Sequence, residues 1–271
     1  MTRTVFFVSD GTAITSETLG HALLAQFSKV EFRQVRIPFV NDKTTALDVV
    51  RQINAAANKD KLTPIVINTI VDKKLCAVIN DSDGVVLDLF AAFLDTLEDA
   101  LDTRPQATVG KSHGRGDFAR YEDRMEATNY ALNHDDGLSL DFGKADLILV
   151  GVSRSGKTPT CLYMALHYGI KAANYPLTED DLDDLRLPSF LRSHKHKIVG
   201  LMIEPDRLSQ IRETRKPDSR YASLKQCHRE VEQAETMLRT EGISVLQTTH
   251  SSIEEISSRV LMELGMQREM F

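Results

Sequence analysis

The first seventy residues alternate between short apolar runs and longer amphipathic stretches. Thr4 to Ser9 reads as a strand, Thr15 to Phe27 as a helix, Phe32 to Phe39 as a second strand, Thr44 to Ala57 as a second helix and Pro64 to Ile70 as a third strand. Strands separated by helix-length segments pair in parallel, because each intervening helix carries the chain back along the sheet. The pattern predicts an open α/β domain over residues 1–104.

Beyond that point the pattern changes. Arg104-Pro105 is followed by Gly110, Gly114 and Gly116 mixed with Lys111, His113 and Arg115, which predicts a boundary or mobile loop. Phe118, Tyr121, Met125 and Leu132 recur on one helical face, and Asn133 to Gly137 supplies the turn formers that end that helix. Residues 105–134 therefore read as linker and helix. The apolar run Leu147 to Val150 comes next, then a helix to about Tyr168, a strand around Ile170 to Tyr175 and an acidic segment, Glu179 to Asp184. Further apolar runs at Ile198 to Ile203 and Ile243 to Leu246 precede a closing helix, with Ile253, Ile256, Val260 and Leu264 on its buried face. Residues 135–271 are expected to form a second α/β domain around a mainly parallel sheet.

With 271 residues, 42% of them hydrophobic, the chain can bury two sizeable cores. No apolar run approaches the roughly 20 residues that cross a bilayer, and no leader pattern opens the chain, so the expectation is a soluble, cytoplasmic protein without membrane contact. A net charge of -6 argues against general nucleic-acid binding. Cys76, Cys161 and Cys227 are too scattered for a disulfide framework or a C-x-x-C metal site. His194 and His196 sit in a basic stretch without a nearby Cys or carboxylate pair and read as solvated loop residues.

The chemistry concentrates at Gly151-Val152-Ser153-Arg154-Ser155-Gly156-Lys157-Thr158, which matches G-x-x-x-x-G-K-[ST] directly after an apolar run. The two glycines allow backbone conformations in which successive N–H groups converge on phosphate oxygens. Lys157 adds a point charge, Thr158 offers a hydroxyl to Mg²⁺, and the following helix N-terminus adds partial positive charge. Pro159 falls in the first helical turn, where its missing N–H costs no hydrogen bond. The second domain thus reads as a P-loop kinase-like unit.

Phosphoryl transfer also needs a group that orients the acceptor. Asp136 in Asp135-Asp136-Gly137 is the candidate, provided Leu138 to Phe142 doubles back along Asp146 to Val150 through a turn at Gly143 and returns Asp136 beside Gly151. The alternative is a solvated helix-ending turn. Arg207, Arg212, Arg215 and Arg220 could form a lid over phosphates or merely a charged helix surface. One expected feature is missing: the run after Ile198 ends in Ile203-Glu204, not in the Asp that usually helps hold Mg²⁺.

The stretch HDDGLSLDFGKADLILVGVSRSGKTPTCLYMA, with TVFFVSDGTAITSETLG, GIKAANYPLTEDDL and IEPDRLSQIRETR, closely resembles the phosphoenolpyruvate synthase regulatory proteins, which group with the pyruvate, phosphate dikinase regulators. The similarity spans nearly the whole chain. It implies a bifunctional enzyme acting on another protein. As a kinase it would use ADP to phosphorylate a threonine of phosphoenolpyruvate synthase and switch that enzyme off. As a phosphorylase it would use inorganic phosphate to remove the group, releasing pyrophosphate. By motif position, Gly151 to Thr158 would bind ADP or phosphate, and Asp136 would act as base. The resemblance also implies a homodimer. Two other readings are a small-metabolite P-loop kinase and a non-catalytic nucleotide-sensing regulator.

Overall fold

The computed structural model describes residues 2–105 and 118–266, and the chain divides into two compact units, Met1–Arg115 and Gly116–Phe271. The glycine-punctuated stretch expected to hold a boundary, Gly110 to Gly116, lies outside the described residues.

The first unit runs β1 (Thr2–Val8), α1 (Ile14–Leu24), β2 (Glu31–Ile37), α2 (Lys43–Asp60), β3 (Ile65–Asn68), α3 (Lys73–Asn80), β4 (Val85–Asp88) and α4 (Ala91–Leu101). Its sheet is parallel throughout, in the order β2-β1-β3-β4. The alternation of side chains along β1 feeds two cores: Phe6 and Val8 pack with Val49, Ile53 and Ile79, while Val5 and Phe7 pack with Leu24 and Ile67. Helix α1 approaches the sheet through Gly20, where a Cβ would stand 2.4 Å from the Phe7 ring.

The second unit begins with α5 (Phe118–Asn133). It continues through β5 (Leu147–Gly151), α6 (Lys157–Tyr168), β6 (Ala172–Pro176), α7 (Glu179–Asp184), α8 (Ser189–Arg192) and β7 (Ile198–Met202). Helices α9 (Pro205–Arg215) and α10 (Leu224–Thr240), strand β8 (Val245–Gln247) and helix α11 (Ile253–Glu263) complete it. The sheet is again parallel, in the order β6-β5-β7-β8. Every residue of β5 and of β7 is buried, as expected of central strands covered on both faces. Because β5 is followed on one side by β6 and flanked on the other by β7, its C-terminal tip opens where the strand order reverses, the usual place for a ligand in an open α/β sheet. No helix among the described residues is long and apolar enough to cross a membrane.

Two local expectations need correction. Residues 138–146 contain no strand, so no hairpin forms against β5. Leu138 is 79% exposed, and the stretch buries little besides Phe142 and Ala145 that could anchor a sheet edge. In α5, Tyr121, Met125 and Leu132 face solvent, and the helix instead buries Ala127 and Ala131 against Cys161, Met164 and Ala165 of α6. Small side chains on both helices permit close approach, and that contact outweighs the larger apolar stripe. The Phe118 side chain lies outside the description. In α11, Ile256 and Val260 are buried as expected, Leu264 packs against the same core, and Ile253 is exposed.

Candidate active site

Strand β5 delivers the glycine-rich loop to the end of the sheet. Gly151 is required there by close approach, since a Cβ would lie 2.3 Å from the Leu201 carbonyl oxygen of β7. Within the loop Arg154 (φ 80°) and Gly156 (φ 93°) adopt left-handed backbone, the kind of conformation from which anion-binding concavities of successive N–H groups are built. Pro159 stands in the first turn of α6, directly after Lys157 and Thr158.

Lys157 is 4% exposed, and its Nζ donates to the Val152 carbonyl at 2.9 Å. Burial pulls its pKa down to about 8, opposed chiefly by the nearby Asp136 charge and reinforced by Arg212. The ammonium is therefore charged at neutral pH but readily titrated. A bound pyrophosphate or ADP places negative charge beside it and raises that pKa, so binding at about pH 8.5 should take up a fraction of a proton. Calorimetry in buffers of differing ionisation enthalpy measures this directly. No uptake, or the same uptake in a Lys157→Arg variant whose guanidinium does not titrate, would disprove the assignment of that proton to Lys157.

Asp136 reaches the loop by a route different from the expected hairpin. Residues 135–137 form a single 3-10 turn after α5, with Asp136 (φ 46°) and Gly137 (φ 76°) both left-handed. Strand β6 holds this turn: the Asn174 N–H donates to the His134 carbonyl at 3.1 Å, and the Asp136 N–H donates to Asn174 Oδ1 at 3.1 Å. Since Leu149 pairs with Asn174 and Gly151 with Pro176, the turn sits beside the tip of β5. Asp136 thereby lines an open cleft of about 570 Å³, a volume within the usual range for small-molecule sites. Ser153, Arg154, Gly156, Lys157 and Thr158 line it as well, together with Arg215, Lys216 and Tyr221. Gly151, Val152 and Ser155 do not. Val152 and Ser155 are buried, and the Ser155 hydroxyl has no partner among the described residues.

Sequence reasoning passed over Asp135 and Asn174. The Thr158 hydroxyl donates to Asp135 Oδ1 at 2.8 Å, and the Asn174 amide donates to the same carboxylate oxygen and approaches Thr158 Oγ1 at 3.3 Å. A carboxylate thus meets the loop threonine from the turn before β5. The strand after which one was sought, β7, is followed instead by Glu204, whose backbone N–H donates to Thr249 Oγ1 at 2.9 Å. The available signal was Asn174 itself, a polar residue inside a buried strand. No group of three or more His, Cys, Asp or Glu side chains among the described residues could hold a metal. Mg²⁺ needs less, since one or two carboxylates plus substrate phosphates suffice. The all-oxygen pair Asp135 and Thr158 fits that requirement.

The four arginines considered for a lid divide. Arg215 lines the cleft. Arg207 donates to Gln210 on the surface of α9, and the exposed Arg220 lies 3.6 Å from Glu179. Arg212 is wholly buried and cannot swing over a ligand.

Residues 5–261 match the family model described as kinase/pyrophosphorylase. The chain belongs to this family. It is 52% identical over 269 residues to a protein of Stenotrophomonas maltophilia (strain K279a), covering 99% of this chain and 98% of the relative. A protein of Pseudomonas aeruginosa (strain LESB58) gives the same identity and coverage, and one of Ectopseudomonas mendocina (strain ymp) is 50% identical with both chains covered in full. All three are provisionally assigned by name as phosphoenolpyruvate synthase regulatory proteins. The matched family segment contains the whole cleft described above, including Asp135, Asp136 and Asn174.

Proposed function

We propose that this protein regulates phosphoenolpyruvate synthase through two opposed phosphoryl transfers. One is an ADP-dependent phosphorylation of a threonine that inactivates the synthase. The other is a phosphate-dependent, pyrophosphate-forming removal of that group. The observation that carries this reading is that Asp136 and Lys157, a proton acceptor and a phosphate-binding cation, line the same open cleft. The names of the relatives point to the same target.

In the kinase direction the β-phosphate of ADP occupies the loop cradle near Lys157. The acceptor threonine oxygen forms a bond to that phosphorus, its proton passes to Asp136, and the bond to the bridging oxygen breaks to release AMP. In the phosphorylase direction an oxygen of hydrogenphosphate attacks the phosphothreonine phosphorus and gives its proton to Asp136. The proton then returns to the departing threonine oxygen as pyrophosphate forms. Both directions use one carboxylate and one ammonium. Mg²⁺, held by Thr158 and Asp135, would supply neutralisation of phosphate charge. An open cleft suits an acceptor presented by a folded protein.

Incubation with β-labelled ADP and purified synthase, followed by phosphopeptide mapping, tests the assignment. Label is expected on a synthase threonine and is expected to leave as pyrophosphate when phosphate is added. Label on a small molecule, or none on the synthase, would favour a metabolite kinase.

A further inference from the structure

Arg212, in α9, is the largest by volume of the fully buried side chains among the described residues. A guanidinium remains ionised at any ordinary pH, so its burial is unfavourable unless its donors are used. Here the Nη donors are used, on Glu230 and on two segments that line the cleft, while Nε has no partner among the described residues. Nη2 donates to Glu230 Oε2 at 2.6 Å and to the Ser153 carbonyl at 3.1 Å, while Nη1 donates to the Tyr221 carbonyl at 3.1 Å. The guanidinium carbon also lies 4.1 Å from the centre of the Tyr221 ring, and the Tyr221 hydroxyl is 3.1 Å from Ser153 Oγ. Glu230 is held in turn by Gln226, whose amide donates to Oε1 at 3.0 Å.

The contact with Ser153 has a consequence for its neighbour. In a trans peptide the C=O and the following N–H point in opposite directions. Holding the Ser153 carbonyl on Arg212 therefore turns the Arg154 N–H away from α9, within the loop segment that lines the cleft. Arg154 has a left-handed backbone (φ 80°), which a non-glycine residue keeps only when its surroundings enforce it. The same guanidinium fixes Tyr221, which lines the cleft from the connection between α9 and α10. Packing alone does not call for this charge, because a buried ion pair can generally be exchanged for apolar side chains of similar volume without loss of stability.

We propose that Arg212, oriented by Glu230, is a positioning residue for the phosphate loop: it sets the Ser153–Arg154 peptide so that its N–H faces the donor phosphate and locks Tyr221 against the loop. This rests on the reading that the cleft binds the phosphates of ADP and pyrophosphate. The discriminating variant is Arg212→Met with Glu230→Leu, which removes both charges and keeps the volume. It should still unfold cooperatively, with a midpoint lowered because the Ser153 and Tyr221 carbonyls and the Gln226 amide each lose a partner, while calorimetric affinity for ADP and pyrophosphate, measured well below that midpoint, falls by about tenfold or more. The Arg154 amide resonance should shift on pyrophosphate binding in the unmodified protein and not in the variant.

Retained affinity in a folded double variant would overturn the proposal, since a purely structural pair is replaceable. Arg212→Lys provides a second test that holds if the double variant does not fold. It keeps the pairing with Glu230 but cannot serve both carbonyls and the ring, so affinity should fall several-fold, and unchanged affinity would again overturn the role. Failure of the unmodified protein to bind ADP or pyrophosphate would instead remove the reading of the cleft, and this role with it.

Discussion

Asp136→Asn should lower both threonine phosphorylation and phosphate-dependent dephosphorylation of the synthase by about 10²–10⁴-fold, the usual contribution of a positioned general base. The substitution is close to isosteric, and the backbone N–H that anchors the turn to Asn174 is untouched. What disappears is the acceptor for the threonine proton. ADP binding should survive at neutral pH. It should weaken earlier on the alkaline side, because Asp136 is the principal charge that keeps the buried Lys157 protonated. A kcat that falls while Kd holds at pH 7 is the expected result from single-turnover kinetics and calorimetry. Unchanged regulation of the synthase by this variant would make the protein a sensor that acts by binding alone.

Lys157→Met should abolish both activities and raise stability. The rate effect is expected to be about 10²–10³-fold or larger, because a preorganised, buried cation beside the transferring group is lost. The stability effect follows from the direction of the pKa shift. Burial lowers the folded-state value from 10.5 to about 8, so below about pH 8 the fold carries a buried ammonium that the unfolded chain would hydrate. That penalty is on the order of 2–4 kcal/mol. It declines as pH rises from about 8 and is gone above the unfolded value, so the unmodified protein should gain stability across that window and the Met variant should not. Thermal melts between pH 7 and pH 10.5 and assays in both directions check the pair of claims. Normal activity in either direction would contradict a single cleft serving both phosphate donors.

Much of the architecture was legible because it is written in local periodicity. The strands and helices of residues 4–70 recur close to their expected positions, and so do β5, α6, β6, β7, β8 and α11. The loop from Gly151 to Thr158 was legible for a stronger reason, since its glycines and lysine are adjacent in sequence and act through the backbone they share. Helices α3, α4, α8 and α10 and strand β4 went unassigned, and α9 was foreseen only as one alternative, a charged helix surface; it has almost no apolar stripe, and only Leu208 and Arg212 are buried in it.

The site shows where such reading stops. Asp136 was placed near the loop for a reason that the fold does not use, a hairpin that is absent, whereas a hydrogen bond to Asn174 thirty-eight residues away brings it there. Asp135 and Asn174 reach Thr158 only because β6 lies beside β5. The arginines looked equivalent along the chain, yet Arg212 is enclosed by Glu230, Ser153 and Tyr221 while Arg215 borders the cleft.

Taken alone, the order of residues determined that this chain builds two parallel α/β units and carries a phosphate-gripping loop, since both follow from contacts between near neighbours. Which carboxylate meets Thr158, which lines the cleft, and which arginine bonds to the loop were decided by strand order and helix packing. Those choices depend on pairings between distant segments, and no local periodicity encodes them.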